Sequence, residues 1–212
     1  MNISPAKENI LKKIRQALSN STPLPFPLSE GNNSVFQPSR QELEVEFAGQ
    51  FVKLQGKFIF CVDQHEVAAQ LAILVKQKNW NNVYCDDETL SGLLKEAQFG
   101  YSSNDLAGSD VAITKCDFLI ARTGTIILSS AQPCGRTSSV YSPVHICIAK
   151  TDQLVYDIRE GLQLLKGKYS KNLPSLVTFA SGPSRTADIE KTLVVGVHGP
   201  KEVYVFLADE LE

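Results

Sequence analysis

The sequence predicts an α/β domain with three layers, in which helices cover both faces of a mostly parallel sheet. The chain has 212 residues and a mass of 23.3 kDa, which is enough for one ordinary domain with an appendage. From residue 57 onward, short runs rich in β-branched and aromatic residues alternate with segments of helical periodicity. Strand–helix–strand order implies right-handed crossovers and parallel pairing. About seven strands are expected in this sheet.

The N-terminal region is predicted to be a helix followed by an extended arm. Residues 4–18 carry apolar side chains at helical spacing, with Ser4 as a cap and Pro5 in the first turn. Four prolines and no apolar period mark residues 19–39 as a linker or arm. We therefore divide the chain into residues 1–38 and a domain at 39–212. Because so short a helix is marginal alone, it must dock on its own core, a second copy or a partner.

The first half of the domain predicts two strands and three helices. Ser39 and Glu42 have capping-box spacing before a helix that Gly56 is expected to end. A strand follows at 57–62, and Asp63 is a suitable cap for a helix that runs to residue 78. A short strand at 83–85 and a helix near 88–98 complete this half.

The second half predicts more strands, separated by turns. Apolar runs mark strands at 111–114, 118–120, 125–129 and 144–149, and residues 154–165 read as a helix ended by Gly167. Strands at 176–180 and 203–207 are expected to close the same sheet.

Composition excludes several classes of protein. Apolar residues are 43% and charged residues 21% of the chain, close to the soluble globular average. With 21 Lys and Arg against 23 Asp and Glu, the net charge is −2, which argues against duplex nucleic acid and anionic lipid as main partners. No targeting segment and no apolar run near the roughly 18 residues of a membrane span is visible. We expect a cytoplasmic protein.

Cysteines and histidines show no pattern typical of a metal centre. The five cysteines do not form a CxxC pair, and the three histidines share no ligand spacing. No metal site is expected. The cysteines are interpreted as buried structural thiols, and His65 and His145 as structural residues. The five cysteines are Cys61, Cys85, Cys116, Cys134 and Cys147, and the third histidine is His198.

Three polar segments beside predicted strand ends are candidates for a ligand site. They lie at 122–125, 181–190 and 196–200, and ligands in open α/β sheets bind beyond the carboxyl ends of strands. Glycine backbone, hydroxyl groups and guanidinium groups suit a small anion. For residues 181–186 the alternative is a turn and helix cap, with Arg185 paired to Asp188 or Glu190. The candidate contacts are Arg122, Thr123, Gly124, Thr125, Ser181, Gly182, Ser184, Arg185 and Thr186.

Three residues are candidates for catalysis. Asp188 or Glu190 is suited to act as a base or nucleophile, or to face a helix N-terminus. His198 lies between glycines in a turn, where it is suited to acid–base work or to a structural hydrogen bond.

The three segments together resemble one known family. The runs TGT at 123–125, SGPSRTADIE at 181–190 and GVHGP at 196–200 are similar to the LUD domain of the lactate-utilization protein C family. The N-terminal helix also resembles the start of that family. Members often have an acidic residue before the Thr-Gly-Thr run, whereas this chain has Arg122.

The resemblance implies both a fold and a role. The fold would be the three-layer α/β/α of the NagB/RpiA/CoA-transferase-like superfamily. The chain would be a subunit or accessory protein of a system that oxidises L-lactate to pyruvate, with iron–sulfur clusters in partner proteins and no cofactor in this chain. The residues alone leave two alternatives: a stand-alone enzyme for a small carboxylate, phosphate or acyl-CoA substrate, and a small-anion sensor.

Overall fold

A computed structural model of the chain describes residues 5–19, 41–133, 136–186 and 194–211. The described helices are α1 (Pro5–Ser19), α2 (Leu43–Lys53), α3 (Gln64–Lys78), α4 (Ser91–Glu96), α5 (Ser138–Tyr141) and α6 (Ile158–Tyr169). The described strands are β1 (Lys57–Cys61), β2 (Val83–Tyr84), β3 (Tyr101–Ser102), β4 (Val111–Lys115), β5 (Phe118–Ile120), β6 (Thr125–Ser129), β7 (Val144–Lys150), β8 (Leu154–Val155), β9 (Val177–Ala180), β10 (Arg185–Thr186), β11 (Val194–Val195) and β12 (Glu202–Ala208).

The chain divides into two compact units, residues 1–37 and 38–212. The first unit contains α1, on which Ile10 and Ile14 are exposed. The predicted cap Ser4 and the proline-rich arm lie outside the described residues, as does Ser39 of the predicted capping box. The second unit contains all the other helices and strands of the described chain.

Six parallel strands form the main sheet of the second unit, in the order β1-β12-β7-β4-β2-β3. Side chains of its central strands alternate between two cores, as the period of a strand requires. Ile146 and Phe206 pack with α3 and α4 on one face. Cys147 and Val205 pack with α2 and a second sheet on the other face. This confirms the predicted α/β class with a mostly parallel sheet between two covering layers.

The second sheet corrects the expectation that all strands join one sheet. Its order is β8-β5-β6-β9, and β6 pairs antiparallel with both β5 and β9. The turn from β5 to β6 is only a few residues long, too short for the crossover that a parallel neighbour needs. The strand predicted at 176–180 is β9, and it pairs with β6 in this second sheet. Of the two strands predicted to close the main sheet, only β12 does so. Helix α6 packs over this second sheet.

The structure confirms one predicted helix cap and corrects two predicted helix ends. The Asp63 carboxylate accepts the backbone N–H of Glu66 at 2.9 Å and begins α3. Helix α2 ends at Lys53, and the residue that takes the left-handed conformation after it is Gln55, not Gly56. The helix predicted at 154–165 begins only at Ile158, because Asp157 caps it by accepting the Arg159 N–H at 2.8 Å.

Candidate functional site

The Thr-Gly-Thr run and Ser181 meet at one place, because β6 begins beside the end of β9. The hydroxyl of Thr125 lies 2.8 Å from that of Thr123 and 2.7 Å from that of Ser181. Thr125 is buried. These three predicted ligand contacts are therefore brought together, and their hydroxyl groups hydrogen-bond to one another.

Two predicted glycines bring this junction against the last turn of α2. Gly124 has φ +56°, and a Cβ added there would lie 2.6 Å from the backbone nitrogen of Phe51. Gly182 has φ +83°, and its added Cβ would lie 2.6 Å from the Leu54 carbonyl oxygen. Only glycine adopts such φ values readily and leaves this space empty. Gly124 therefore closely approaches the backbone of α2, and Gly182 closely approaches the backbone of Leu54, the residue after it.

The two predicted arginines hold helix ends. Arg185 donates from its guanidinium to the carbonyl oxygen of Leu54, just beyond α2. Arg122 donates from Nε to Asp157 Oδ2 at 2.9 Å, at the start of α6. The backbone N–H of Arg159 and the guanidinium of Arg122 outweigh the opposing effect of burial and lower the pKa of Asp157.

Of the remaining predicted residues, three lie in described segments and two lie outside them. Thr186 pairs with Val194 across β10 and β11, and the Ser184 N–H donates to the Pro200 carbonyl at 2.9 Å. His198 is exposed in the turn after β11. Asp188 and Glu190 lie outside the described residues, so their proposed roles stay predictions.

A cleft that the sequence did not predict opens at the carboxyl ends of β2, β4 and β7. Strands β2 and β4 are neighbours in the sheet, but the chain leaves β2 toward β3 and leaves β4 toward β7. With right-handed crossovers, the two connections leave on opposite faces, and a crevice opens where the direction changes. The cleft has a volume of about 420 Å³, which is within the range of small-molecule sites. Among its lining residues are Asp87, Thr89, Lys115, Lys150, Lys168 and Tyr169.

A buried carboxylate fixes one wall of this cleft. Asp117 Oδ1 accepts hydrogen bonds from Lys168 Nζ at 2.8 Å and from the Tyr169 hydroxyl at 2.7 Å. Burial lowers the pKa of Lys168, but the hydrogen bond and charge of Asp117 outweigh that effect, and the pKa is raised. Lys168 is therefore held as a cation in the last turn of α6.

A second set of hydrogen bonds positions Lys115 and Lys150, which also line the cleft. Lys115 Nζ donates to the Thr89 hydroxyl, which donates to Asp87 Oδ1 at 2.5 Å. The Gln153 amide nitrogen donates to the Cys116 carbonyl at 2.7 Å, and its oxygen accepts the Lys150 N–H at 2.8 Å. These bonds tie the loop after β4 to the end of β7 and thereby position Lys150.

The neighbouring surface has the opposite charge. A second cleft of about 570 Å³ shares Lys150 with the first and is otherwise lined largely by acidic side chains. Its carboxylates belong to Asp63, Asp152, Asp209 and Glu210. No group of three His, Cys, Asp or Glu side chains within the described ranges is arranged to hold a metal ion. Among the described helices, none combines the length and apolarity needed to cross a bilayer.

Sequence comparison finds relatives that match about half of the chain. Lactate utilization protein C of Deinococcus radiodurans is 37% identical over 107 residues, which are 50% of this chain and 50% of that protein. The protein of the same name from Halalkalibacterium halodurans is 38% identical over 104 residues, covering 48% and 45%. The one from Bacillus subtilis is 33% identical over 104 residues, covering 48% and 43%. The chain thus spans about half the length of the curated relatives it matches.

Structural comparison and the family model agree with these relatives. A crystal structure of a DUF162 family protein from Deinococcus radiodurans matches with a TM-score of 0.61 and 22% identity, over 81% of this chain and 99% of that one. At this identity the match shows the fold alone. The resemblance that the motifs predicted is confirmed, because the model of the LUD domain matches residues 102–208. That match covers half of the chain, which therefore belongs to the LUD domain family.

Proposed function

We propose that this chain is a component of an L-lactate utilization system and acts with iron–sulfur partner proteins in the oxidation of L-lactate to pyruvate. The observation that carries the proposal is the set of relatives named lactate utilization protein C, 37–38% identical in the two strongest matches given above. The LUD domain model matches residues 102–208 of the same chain. The small anionic substrate fits a domain whose sheet ends in a lysine-lined cleft.

We assign electron transfer to the partner proteins, and the burial of two thiols in this chain supports that assignment. Oxidation of lactate to pyruvate removes two electrons and two protons, so an acceptor must take the electrons. Cys61 and Cys85 are buried, and burial raises the pKa of each thiol to about 11. A buried, protonated thiol is a poor nucleophile. Within the described residues neither thiol belongs to a group of three His, Cys, Asp or Glu side chains arranged to hold a metal ion, which supports the placement of the clusters on partner proteins.

A second candidate is a stand-alone enzyme for a small carboxylate, phosphate or acyl-CoA substrate, or a small-anion sensor. The observation that favours it is the same cleft, whose lining includes three lysines suited to a small anion. A protein of this kind would need no partner for binding or turnover.

Affinity purification from cells grown on L-lactate distinguishes the two candidates. We expect the tagged chain to co-elute with cysteine-rich proteins and the eluate to reduce a redox dye when L-lactate is added. D-lactate and extracts of cells grown without lactate are the controls. Elution of the chain without cysteine-rich partners and without dye reduction would reject the proposal, and turnover of a small anion by the purified chain would favour the second candidate.

A further inference from the structure

We propose that the cleft at the carboxyl ends of β2, β4 and β7 binds a small monocarboxylate, with Lys150 as its charge partner. The ligand class follows from the charges of the cleft. Its identification with lactate or pyruvate rests on the proposed function. Gly124 and Gly182 of the family motifs, by contrast, approach α2 and the residue after it, and no described motif residue lines this cleft.

The position of the cleft is the first argument. It opens at the point of the sheet where connections leave on opposite faces, which is where open α/β sheets bind ligands. Lys115 is the last residue of β4 and Lys150 the last of β7, on adjacent strands. Two cationic side chains are therefore presented from strand ends, whose backbone is fixed by the sheet.

The distribution of charge is the second argument. Lys168 is paired with Asp117, and Lys115 is linked through Thr89 to Asp87. Lys150 lines the same cleft and forms no ion pair with the described residues. The cleft thus has one positive charge in excess, which one carboxylate neutralises.

The acidic side chains of the second cleft limit the negative charge that a ligand at Lys150 can carry. Lys150 also lines the second cleft, whose lining includes four carboxylates. Any anion bound at Lys150 is repelled by these groups, and the repulsion grows with the charge of the anion. A monocarboxylate therefore meets less repulsion than a dianion such as phosphate, so the two clefts together favour a monoanion.

A buried carboxylate behind two lining side chains provides the third argument. Asp117 is 1% exposed and is not itself a lining residue. Its Oδ1 accepts hydrogen bonds from Lys168 and Tyr169, both of which line the cleft. These bonds fix a cation and a hydroxyl group at the surface of the cleft.

Calorimetric titration of the full purified chain tests the proposal. The probes are sodium L-lactate, sodium pyruvate and inorganic phosphate, at constant ionic strength. We expect saturable binding of at least one monocarboxylate and weaker binding of phosphate. Lys150→Gln should weaken that binding about tenfold or more, since charge-assisted hydrogen bonds contribute about 1.5–3 kcal/mol. Lys76→Gln is the matched control, because Lys76 is an exposed lysine in the last turn of α3 and is not among the lining residues of the cleft.

Three results would overturn the proposal. They are the absence of saturable binding, binding that Lys150→Gln leaves unchanged, and phosphate binding tighter than that of either monocarboxylate. Thermal unfolding of both variants verifies that each is folded. A chain that binds no monocarboxylate but still co-elutes with partners and supports dye reduction would reject only the cleft. A chain that binds but has no partners would reject only the proposed function.

Discussion

Replacing Gly124 with alanine is expected to lower the free energy of unfolding by about 3 kcal/mol or more. The left-handed conformation costs a non-glycine residue about 1–2 kcal/mol, and overpacking adds about 1–3 kcal/mol. The added Cβ would lie 2.6 Å from the nitrogen and 2.9 Å from the Cα of Phe51. These are backbone atoms of a helix, so no flexible side chain can move aside.

Urea unfolding of wild type and variant measures this effect, and Gly49→Ala is the matched control. Gly49 lies within α2, the helix that Gly124 contacts, and a Cβ added there meets no atom within 4 Å. Alanine in a helix is about 1 kcal/mol more favourable than glycine, so the control should equal or exceed wild type in stability. Equal stability of Gly124→Ala and wild type would contradict the close approach of the Thr-Gly-Thr run to α2.

Acidification from pH 6.5 to 4 is expected to destabilise the domain through His145. This residue lies on β7, is 1% exposed, and has Nε2 2.8 Å from the Thr114 hydroxyl. Its Nδ1 has no hydrogen-bond partner in the described residues. Burial lowers the pKa of His145 from 6.5 to about 4. The folded protein therefore keeps the ring neutral in a range where the unfolded chain protonates it.

The sign and size of this effect follow from proton linkage. Between pH 4 and 6.5 the unfolded state binds more protons than the folded state, so stability rises with pH. At about 1.4 kcal/mol per pKa unit, this residue accounts for roughly 3 kcal/mol between those limits. The measurement is the free energy of unfolding as a function of pH for wild type and His145→Gln. The variant should show the shallower curve, and two parallel curves would contradict a neutral buried histidine.

Local chemistry made several elements predictable from the sequence. The carboxylate of Asp63 caps α3 as predicted, because a cap depends on residues within one turn. Five of the six strands of the main sheet were found from their apolar runs, and the two-residue edge strand β3 was missed. Gly124 and Gly182 were selected as positions of close backbone approach, which the structure shows, although the neighbour is α2.

Lateral strand order was not predictable in the same way. Strands β4 and β7 are distant in sequence but pair with each other. Strand β9 pairs with β6 in the second sheet and with no described strand of the main sheet. Such pairings depend on tertiary packing and not on the composition of either strand. Lys115 and Lys150 each stand at a strand end in the sequence, but only the strand order shows that they share a cleft. The buried Asp117 was missed because its pairing with α6 is equally non-local.

We propose above all that this protein is required for L-lactate utilization. The most direct measurement is L-lactate consumption by native cells in which the gene is deleted and then restored with the wild-type chain. We predict that deletion stops or strongly slows L-lactate consumption, that the restored chain recovers it, and that growth on glucose is unchanged. Consumption at the wild-type rate in the deletion strain would contradict the claim.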